Sequence, residues 1–348
     1  MNLRQRLLKN SNLATMLEDS DIFKGTDFTP TQIPILDIAL SGEIGKGLTR
    51  GLTIFAGPSK HFKSLMGLIL VRRYMEEHLD ATCLFYDSEW GTTEDYFKGT
   101  GIDTKRVIHV GVATLEELRG EVATALKEVV KGEKLIVFVD SIGNLASQKE
   151  IKDALEGNDK ADMTRAKVVK SITRICSGYL NTKNIQMIMI GHTYETLERY
   201  SKPKLSGGTG IYYNANNIIF MGRQQNKNAD KKLLGYDFIM NIEKSRFVKE
   251  GTKLPFKVTY EDGVHTYSGL QEIATDGGYL TKGKPGYYTR NCVKDDKQHH
   301  GKNFVDKEWS FWQPIFEDTD FLEYVKKTFQ LETALFKDKT NGEEEAHS

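Results

Sequence analysis

The chain predicts an α/β fold, a mostly parallel twisted sheet flanked by helices, followed by a small α+β unit. Three observations carry this expectation. Five short apolar runs, at 52–56, 82–86, 107–110, 135–139 and 185–190, alternate with helical stretches near 64–78, 114–130 and 164–180, the pattern of buried strands joined by helical crossovers. Three more runs, 217–221, 237–242 and 255–260, follow without an intervening helix, as antiparallel strands added at one edge would. From about Asp262 the texture changes to short glycine-rich aromatic segments and a helical finish near 316–329.

Taken in order, the first twenty residues read as a polar amphipathic helix. The run 52–56 suits a buried strand, and 64–78 begins apolar and turns polar, as a helix leaving a sheet does. The strands at 135–139 and 185–190 are followed by long polar connections, 146–162 and 193–210. Connections of that length inside a compact domain are usually functional or disordered, and open α/β sheets hold their ligands at these strand ends. The division expected is an N-terminal helical segment over 1–30, a core over 31–262, a small C-terminal domain over 263–336 and a polar acidic tail over 337–348.

Lys plus Arg and Asp plus Glu number 48 each, so no global field draws the chain to a polyanion and any nucleic-acid surface is local. No apolar run approaches membrane-spanning length and no charged-then-apolar leader opens the chain, so the expected compartment is the cytoplasm, without a membrane partner. Cys83, Cys176 and Cys292 are widely spaced and fit no ligand pattern; buried thiols are expected, with no disulfide or zinc.

Residues 51–64, GLTIFAGPSKHFKS, run an apolar strand into a glycine-led loop ending in Lys-Ser. Along Gly57, Pro58, Ser59, Lys60, His61 and Phe62, backbone N–H groups backed by the positive end of the next helix can wrap a β-phosphate. Lys63 would add charge at the β- and γ-oxygens, and the Ser64 hydroxyl would hold Mg2+. Phe62 stands where the general pattern has glycine, so we expect a negative φ there and a ring turned away from the phosphates. Downstream, 134–141 is a second buried-strand run ending in Asp140, which fits an aspartate supporting Mg2+; read alone it also fits a cap on the following helix.

Ile33 through Leu40, Gly47 through Ser64 and Tyr86 through Glu89 together resemble the core of RecA-type recombinases. More closely, Gly57–Ser64, Tyr86–Gly91, Asp140–Ala146 and His192–Thr196 are similar to the UvsX recombinases of T4-like phages, whose pattern includes the phenylalanine in the cradle. The resemblance covers nearly the whole chain and implies a RecA-like P-loop core with ATP and Mg2+ as cofactors. It implies that Lys63 and Ser64 bind phosphate and metal, that Asp140 supports the metal, and that Glu89 positions the attacking water. Physically, a carboxylate just past a strand expected beside the phosphate-loop strand could accept that water's hydrogen bond. Tyr96 matches the tyrosine that stacks on adenine, and His192 a polar sensor between γ-phosphate and the second DNA loop. Lys244 and Arg246 match paired cations that reach a neighbouring subunit's nucleotide; without the resemblance, two exposed cations on an edge strand would only oppose aggregation.

For DNA, the resemblance places a first loop at about 146–165, with Arg165 and Lys167 opening the next helix, and a second at about 193–211, holding Lys202, Lys204, Gly207 and Gly208. Backbone and stacking contacts of this kind are sequence-tolerant and salt-sensitive. The implied activity is a DNA-dependent ATPase that forms helical filaments on single-stranded DNA and exchanges strands with homologous duplex DNA. A single-strand-binding protein and a mediator are implied partners, and a bacterial host's cytoplasm is the implied location if the chain is phage-encoded. A ring translocase or helicase on the same core, and a P-loop scaffold that regulates partners, stay open as alternatives.

Overall fold

The computed structural model describes residues 1–20, 27–158, 164–194, 203–228, 230–301 and 308–331. The first twenty residues do not form one amphipathic helix: α1 spans only Leu3–Lys9, capped by Asn2, and a single 3-10 turn follows at Leu17–Asp19. Leu3, Leu7, Leu13 and Leu17 are all exposed. Among the described residues nothing covers these four leucines, so a longer helix here would gain little to offset its nucleation cost.

Strand β1 (Phe28–Thr29) pairs with β2 (Leu48–Thr49), and α2 (Pro34–Ser41) lies between them in the chain with Pro34 opening its first turn. Buried Asp37 joins this entry together. Its carboxylate accepts the Thr31 N–H at 2.8 Å, the Thr31 hydroxyl at 2.7 Å and the Gly45 N–H at 2.9 Å. Burial pushes the Asp37 carboxyl up, against the pull of these donors.

The core then runs β3 (Gly51–Ala56), α3 (Lys63–Glu77), β4 (Thr82–Asp87), α4 (Glu94–Gly99), β5 (Val107–Gly111), α5 (Leu115–Glu128) and β6 (Leu135–Asp140). It continues through α6 (Gln148–Leu155), α7 (Thr164–Thr182), β7 (Gln186–Gly191), the short ribbon β8 (Thr193–Tyr194) and β9 (Lys204–Leu205), and α8 (Gly210–Asn214). Three long strands close it: β10 (Ala215–Lys227), β11 (Leu233–Ser245) and β12 (Lys253–Thr259), with β13 (Gly263–Val264) at the rim. Among the described residues these make a nine-stranded sheet in the order β13-β12-β11-β10-β3-β7-β6-β4-β5. From β10 to β5 every pairing is parallel, and β10 to β13 are antiparallel, so the expected edge additions are present.

Every residue of β3, β6 and β7 is buried, because helices cover both faces. Strand alternation sorts their side chains: Phe55, Phe138 and Ile188 join one apolar cluster with α2 and α3, while Ile54, Val137 and Met187 join another with α5 and α7. Helix α9 (Leu270–Asp276), a three-stranded sheet and helices Trp309–Phe316 and Thr319–Phe329 follow. Leu270, Trp312 and Phe321 belong to the first cluster, so the C-terminal residues share apolar packing with the α2–α3 face. The chain returns to the core where Leu331 N–H donates to the Phe247 carbonyl at 2.7 Å and Gln330 Nε2 to Glu43 at 2.8 Å. Cys83 and Cys176 are buried as expected, whereas Cys292, on a C-terminal turn, is exposed.

Asp296 organises the three-stranded sheet. Arg290 donates to it through its backbone N–H, Nε and Nη2 at 2.9, 3.0 and 2.8 Å, and His299 Nε2 lies 3.1 Å away. Burial raises the Asp296 carboxyl, but these partners outweigh it and hold it well below the usual carboxylate range. A group depressed in the folded state adds stability that is full above its unfolded value of about 3.9 and fades as pH falls toward the folded value. Asp296→Asn is expected to lower unfolding free energy in urea by about 3 kcal/mol at pH 7, with the gap narrowing below about pH 4. A gap that does not change with pH would contradict the assignment.

Candidate nucleotide site and flanking loops

Between β3 and α3 the loop holds Lys60 and Phe62 in the left-handed region, at φ 61° and 64°. A negative φ at Phe62 was the expectation, and the structure reverses it. The turn into α3 needs the conformation that glycine supplies in the general pattern, and phenylalanine adopts it at a cost of about 1–2 kcal/mol. Its ring offsets that cost by packing 5.1 Å from Phe238 and 5.7 Å from Phe256, which stack on each other at 5.3 Å on β11 and β12. Each such pair contributes about 0.5–1.5 kcal/mol beyond area burial.

Lys63 is buried and its ammonium donates to the Pro58 carbonyl at 2.8 Å. Burial lowers its pKa, opposed by the charges of Asp140 and Glu89. Asp140, only 3% exposed, bonds the Ser64 side chain. Burial pushes its carboxyl up to about 6; Glu89 and Asp87 add to the rise, Ser64 and Lys63 oppose it. Its Oδ1 is buried with no hydrogen-bond partner among the described residues. A carboxylate oxygen left in that state beside a hydroxyl suits a hard cation that takes oxygen ligands, so Ser64 and Asp140 fit Mg2+.

Glu89 reaches this pocket by a route the sequence did not show. Its strand β4 is not beside β3; β7 and β6 lie between them. Asp87 Oδ1 accepts the N–H groups of both Glu89 and Trp90 at 2.9 Å and folds the chain over the strand ends, with Trp90 at φ 55°. Glu89 then accepts the Ser141 hydroxyl at 2.8 Å and lies 3.5 Å from His192 Nε2, itself 3.4 Å from Ser141 Oγ. The hydrogen bond from His192 is the largest influence holding the Glu89 carboxyl below its ordinary value. Gly143 permits this approach, since a Cβ there would sit 2.1 Å from the His192 ring.

Lys63, Ser64, Glu89 and His192, with Asp140 bonded to Ser64 behind them, line a cavity of about 870 Å³, which also takes in Tyr96, Arg223, Tyr236 and Tyr260. Burial pushes the Tyr96 phenol up to about 12. The sequence reading missed the last three. Arg223 donates to the Lys60 carbonyl at 2.8 Å and lies 4.7 Å over the Tyr236 ring, with Tyr260 edge-on to Tyr236 at 6.3 Å. Ser141 and Asp87 were missed as well. Only the short spacing of Ser141 from Asp140 and of Asp87 from Glu89 marked them in the sequence.

Lys244 and Arg246 are not brought to this cavity. Lys244 lies in register with Ile218, which pairs with Ile54, so it sits short of the strand ends. Its ammonium donates to the carbonyls of Tyr212 and Ala215, and Arg246 is exposed. The first polar connection contains α6, and the second rises from the β8–β9 ribbon. Lys167 and Lys204 are exposed at their bases, while Lys202 lies outside the described residues. Gly207 and Gly208 take φ 109° and 83° and pack against α7, where a Cβ would come within 3.2 Å of Val169 and 3.1 Å of Ala166 respectively. Arg165, the other residue expected at DNA, opens α7 close to the β6 strand end. It is partly buried, and its guanidinium donates to Leu145, Ile142 and Gly143 carbonyls and to the Ser206 hydroxyl.

The strain at position 62 can be measured directly. Phe62→Ala keeps the left-handed backbone and loses the ring packing, whereas Phe62→Gly loses the packing and relieves the strain. Both are expected to be less stable than the parent in urea, with the glycine variant about 1 kcal/mol more stable than the alanine one. Equal stability of the two variants would remove the strain argument.

Residues 267–325 match a family model described as the C-terminal domain of the bacteriophage T4 recombination and repair protein. The chain is 44% identical over 339 residues to the recombination and repair protein of Enterobacteria phage T4, covering 94% of this chain and 86% of that one. Protein RecA of Cutibacterium acnes is 24% identical over 256 residues, covering 73% and 71%. Protein RecA of Aquifex aeolicus is 23% identical over 296 residues, covering 84% and 81%. A solved structure titled as the RadB recombinase aligns with a TM-score of 0.46 at 19% identity, over 63% of this chain and 92% of that one. Identity at this level along nearly the full length, with Lys63, Ser64 and Glu89 lining one cavity, makes the chain a member of the UvsX family of phage recombination and repair proteins.

Proposed function

We propose that this chain is an ATP-dependent recombinase that forms helical filaments on single-stranded DNA, pairs it with homologous duplex DNA, and hydrolyses ATP in a DNA-dependent way. The observation that supports this most is the meeting of Lys63, Glu89 and His192, from three separate segments, at a single cavity large enough for a nucleotide, with Asp140 bonded to the Ser64 that lines it. The 57–63 backbone clasps the phosphates and Lys63 neutralises charge at the transferred group. Mg2+, held through Ser64 and Asp140, would supply Lewis-acid stabilisation of the phosphate oxygens. Glu89 orients the attacking water, and His192, at the base of the second polar connection, contacts the γ-phosphate. Tyr96, Tyr236 and Tyr260, which line the same cavity, offer aromatic faces to a base.

Lys244 and Arg246, away from their own chain's cavity, serve the nucleotide of a neighbouring subunit, so hydrolysis depends on assembly. Residues 1–30 dock on that neighbour through the exposed leucines of α1 and the turn after it. DNA runs along Lys167, Lys204 and the Gly207-Gly208 backbone, with Lys202 contributing from the same connection. The 263–336 C-terminal domain works packed on the 31–262 core, and the 337–348 tail follows it in the chain. A single-strand-binding protein and a mediator load the filament in the host cytoplasm. Among the described residues no helix is long and apolar enough to cross a membrane.

Two substitutions test the assignment by ATP turnover with and without single-stranded DNA. Lys63→Ala is expected to abolish turnover, and full activity would refute the cradle. Glu89→Gln is expected to keep ATP binding and filament formation while slowing hydrolysis at least about 100-fold. Unchanged turnover in that variant would clear Glu89 of its role.

A further inference from the structure

Arg165 sits where three pieces of the molecule meet: the start of α7, the turn that leaves β6 just after Asp140 and Ser141, and the base of the second polar connection. Its Nη2 donates to the Ile142 carbonyl at 3.0 Å and the Gly143 carbonyl at 3.1 Å, and its Nε to the Leu145 carbonyl at 3.3 Å. Its Nη1 donates to the Ser206 hydroxyl at 3.2 Å. Phosphate recognition by arginine uses two parallel N–H groups of the fork, and here the fork is committed to protein acceptors.

Both ends of this clamp lead to Glu89. Ser206 N–H donates to the His192 carbonyl at 2.8 Å, which closes the ribbon of β8 and β9 directly above the histidine whose ring lies 3.5 Å from Glu89. On the other side, Ile142 and Gly143 continue from Ser141, whose hydroxyl donates to Glu89, and Ile142 N–H donates to the Ile190 carbonyl on β7. The missing side chain of Gly143 lets the clamped turn lie against the His192 ring. The chain of contacts thus runs from Ser206 through Arg165 to the turn that carries Ser141, and from Ser206 through its backbone to His192.

We infer that Arg165 is a positioning residue, an internal clamp tying the base of the second polar connection to the turn that carries Ser141, so that the placement of Glu89 follows that connection. It is not a contact to DNA phosphate. The inference rests on the proposed DNA-dependent hydrolysis and names the side chain that couples DNA to it. Lysine cannot replace the guanidinium, because a single ammonium cannot span the three carbonyls and Ser206 at once.

The test uses the full chain with a single-stranded oligonucleotide, reading affinity by anisotropy across a salt series and ATP turnover at saturating DNA. Arg165→Ala and Arg165→Lys are expected to keep the parent's slope of log affinity against log salt. Both lose about tenfold in DNA-stimulated kcat, with KM for ATP changed less than about twofold. Ser206→Ala, too mild to unfold the chain, loses about threefold, and adding it to Arg165→Ala costs little more, as expected for two ends of one clamp. A slope smaller by about 0.7 in Arg165→Ala, restored by lysine, would make the residue a phosphate contact and overturn the inference. Parent-like stimulated turnover in Ser206→Ala and Arg165→Lys would overturn it too. A parent chain that DNA does not stimulate at all would bring down the recombinase proposal along with it.

Discussion

A carboxylate taken almost wholly out of water at the end of β6 sets the terms for everything around it. Asp140 lies among Lys63, Ser64, Glu89 and Asp87, with one oxygen lacking any partner among the described residues. Two further carboxylates nearby make its ionisation harder, and the ammonium of Lys63 and the Ser64 hydroxyl only partly offset this. Such an arrangement is costly for a folded chain to hold unless something charged completes it. A phosphate tail with Mg2+ brings both signs of charge to that place, which is why the pocket reads as a site for a metal-bound nucleotide.

The sheet topology makes this meeting possible. The six parallel strands all run in one direction, so residues far apart in sequence gather at one side: Asp140 from β6, His192 after β7, Glu89 after β4 and Lys63 after β3. The antiparallel edge has a second use. Strands β11 and β12 provide the aromatic wall that holds Phe62 in a conformation normally left to glycine, and the same wall carries Tyr236 toward the cavity. A departure from the general phosphate-loop pattern is therefore compensated by side chains nearly two hundred residues away.

Much of this was legible from the residues. The alternation of apolar runs and helical stretches gave the parallel core and its antiparallel edge, because strands buried on both faces show as continuous apolar runs. The cradle and Asp140 were visible because their chemistry needs particular residues in fixed order. What stayed hidden depends on distance in space. The positive φ at Phe62 is required by the turn and offset by Phe238 and Phe256, and the path of Glu89 is set by Asp87 and by a strand order that no local pattern encodes. Arg165 is expected at DNA because the resemblance places a DNA loop there; its partners within this chain, carbonyls some twenty residues before it and a hydroxyl on the next connection, were not legible. The N-terminal helix is shorter than its pattern suggests, since Leu3, Leu7, Leu13 and Leu17 are exposed among the described residues.

The central claim is that Asp140 and its surroundings hold a nucleotide together with a divalent cation. Calorimetric titration of ATP into the parent chain and into Asp140→Asn, with and without Mg2+, tests it most directly. The account predicts that Mg2+ strengthens ATP binding to the parent at least about tenfold and leaves the variant nearly unaffected. An equal response to Mg2+ in both proteins would contradict it.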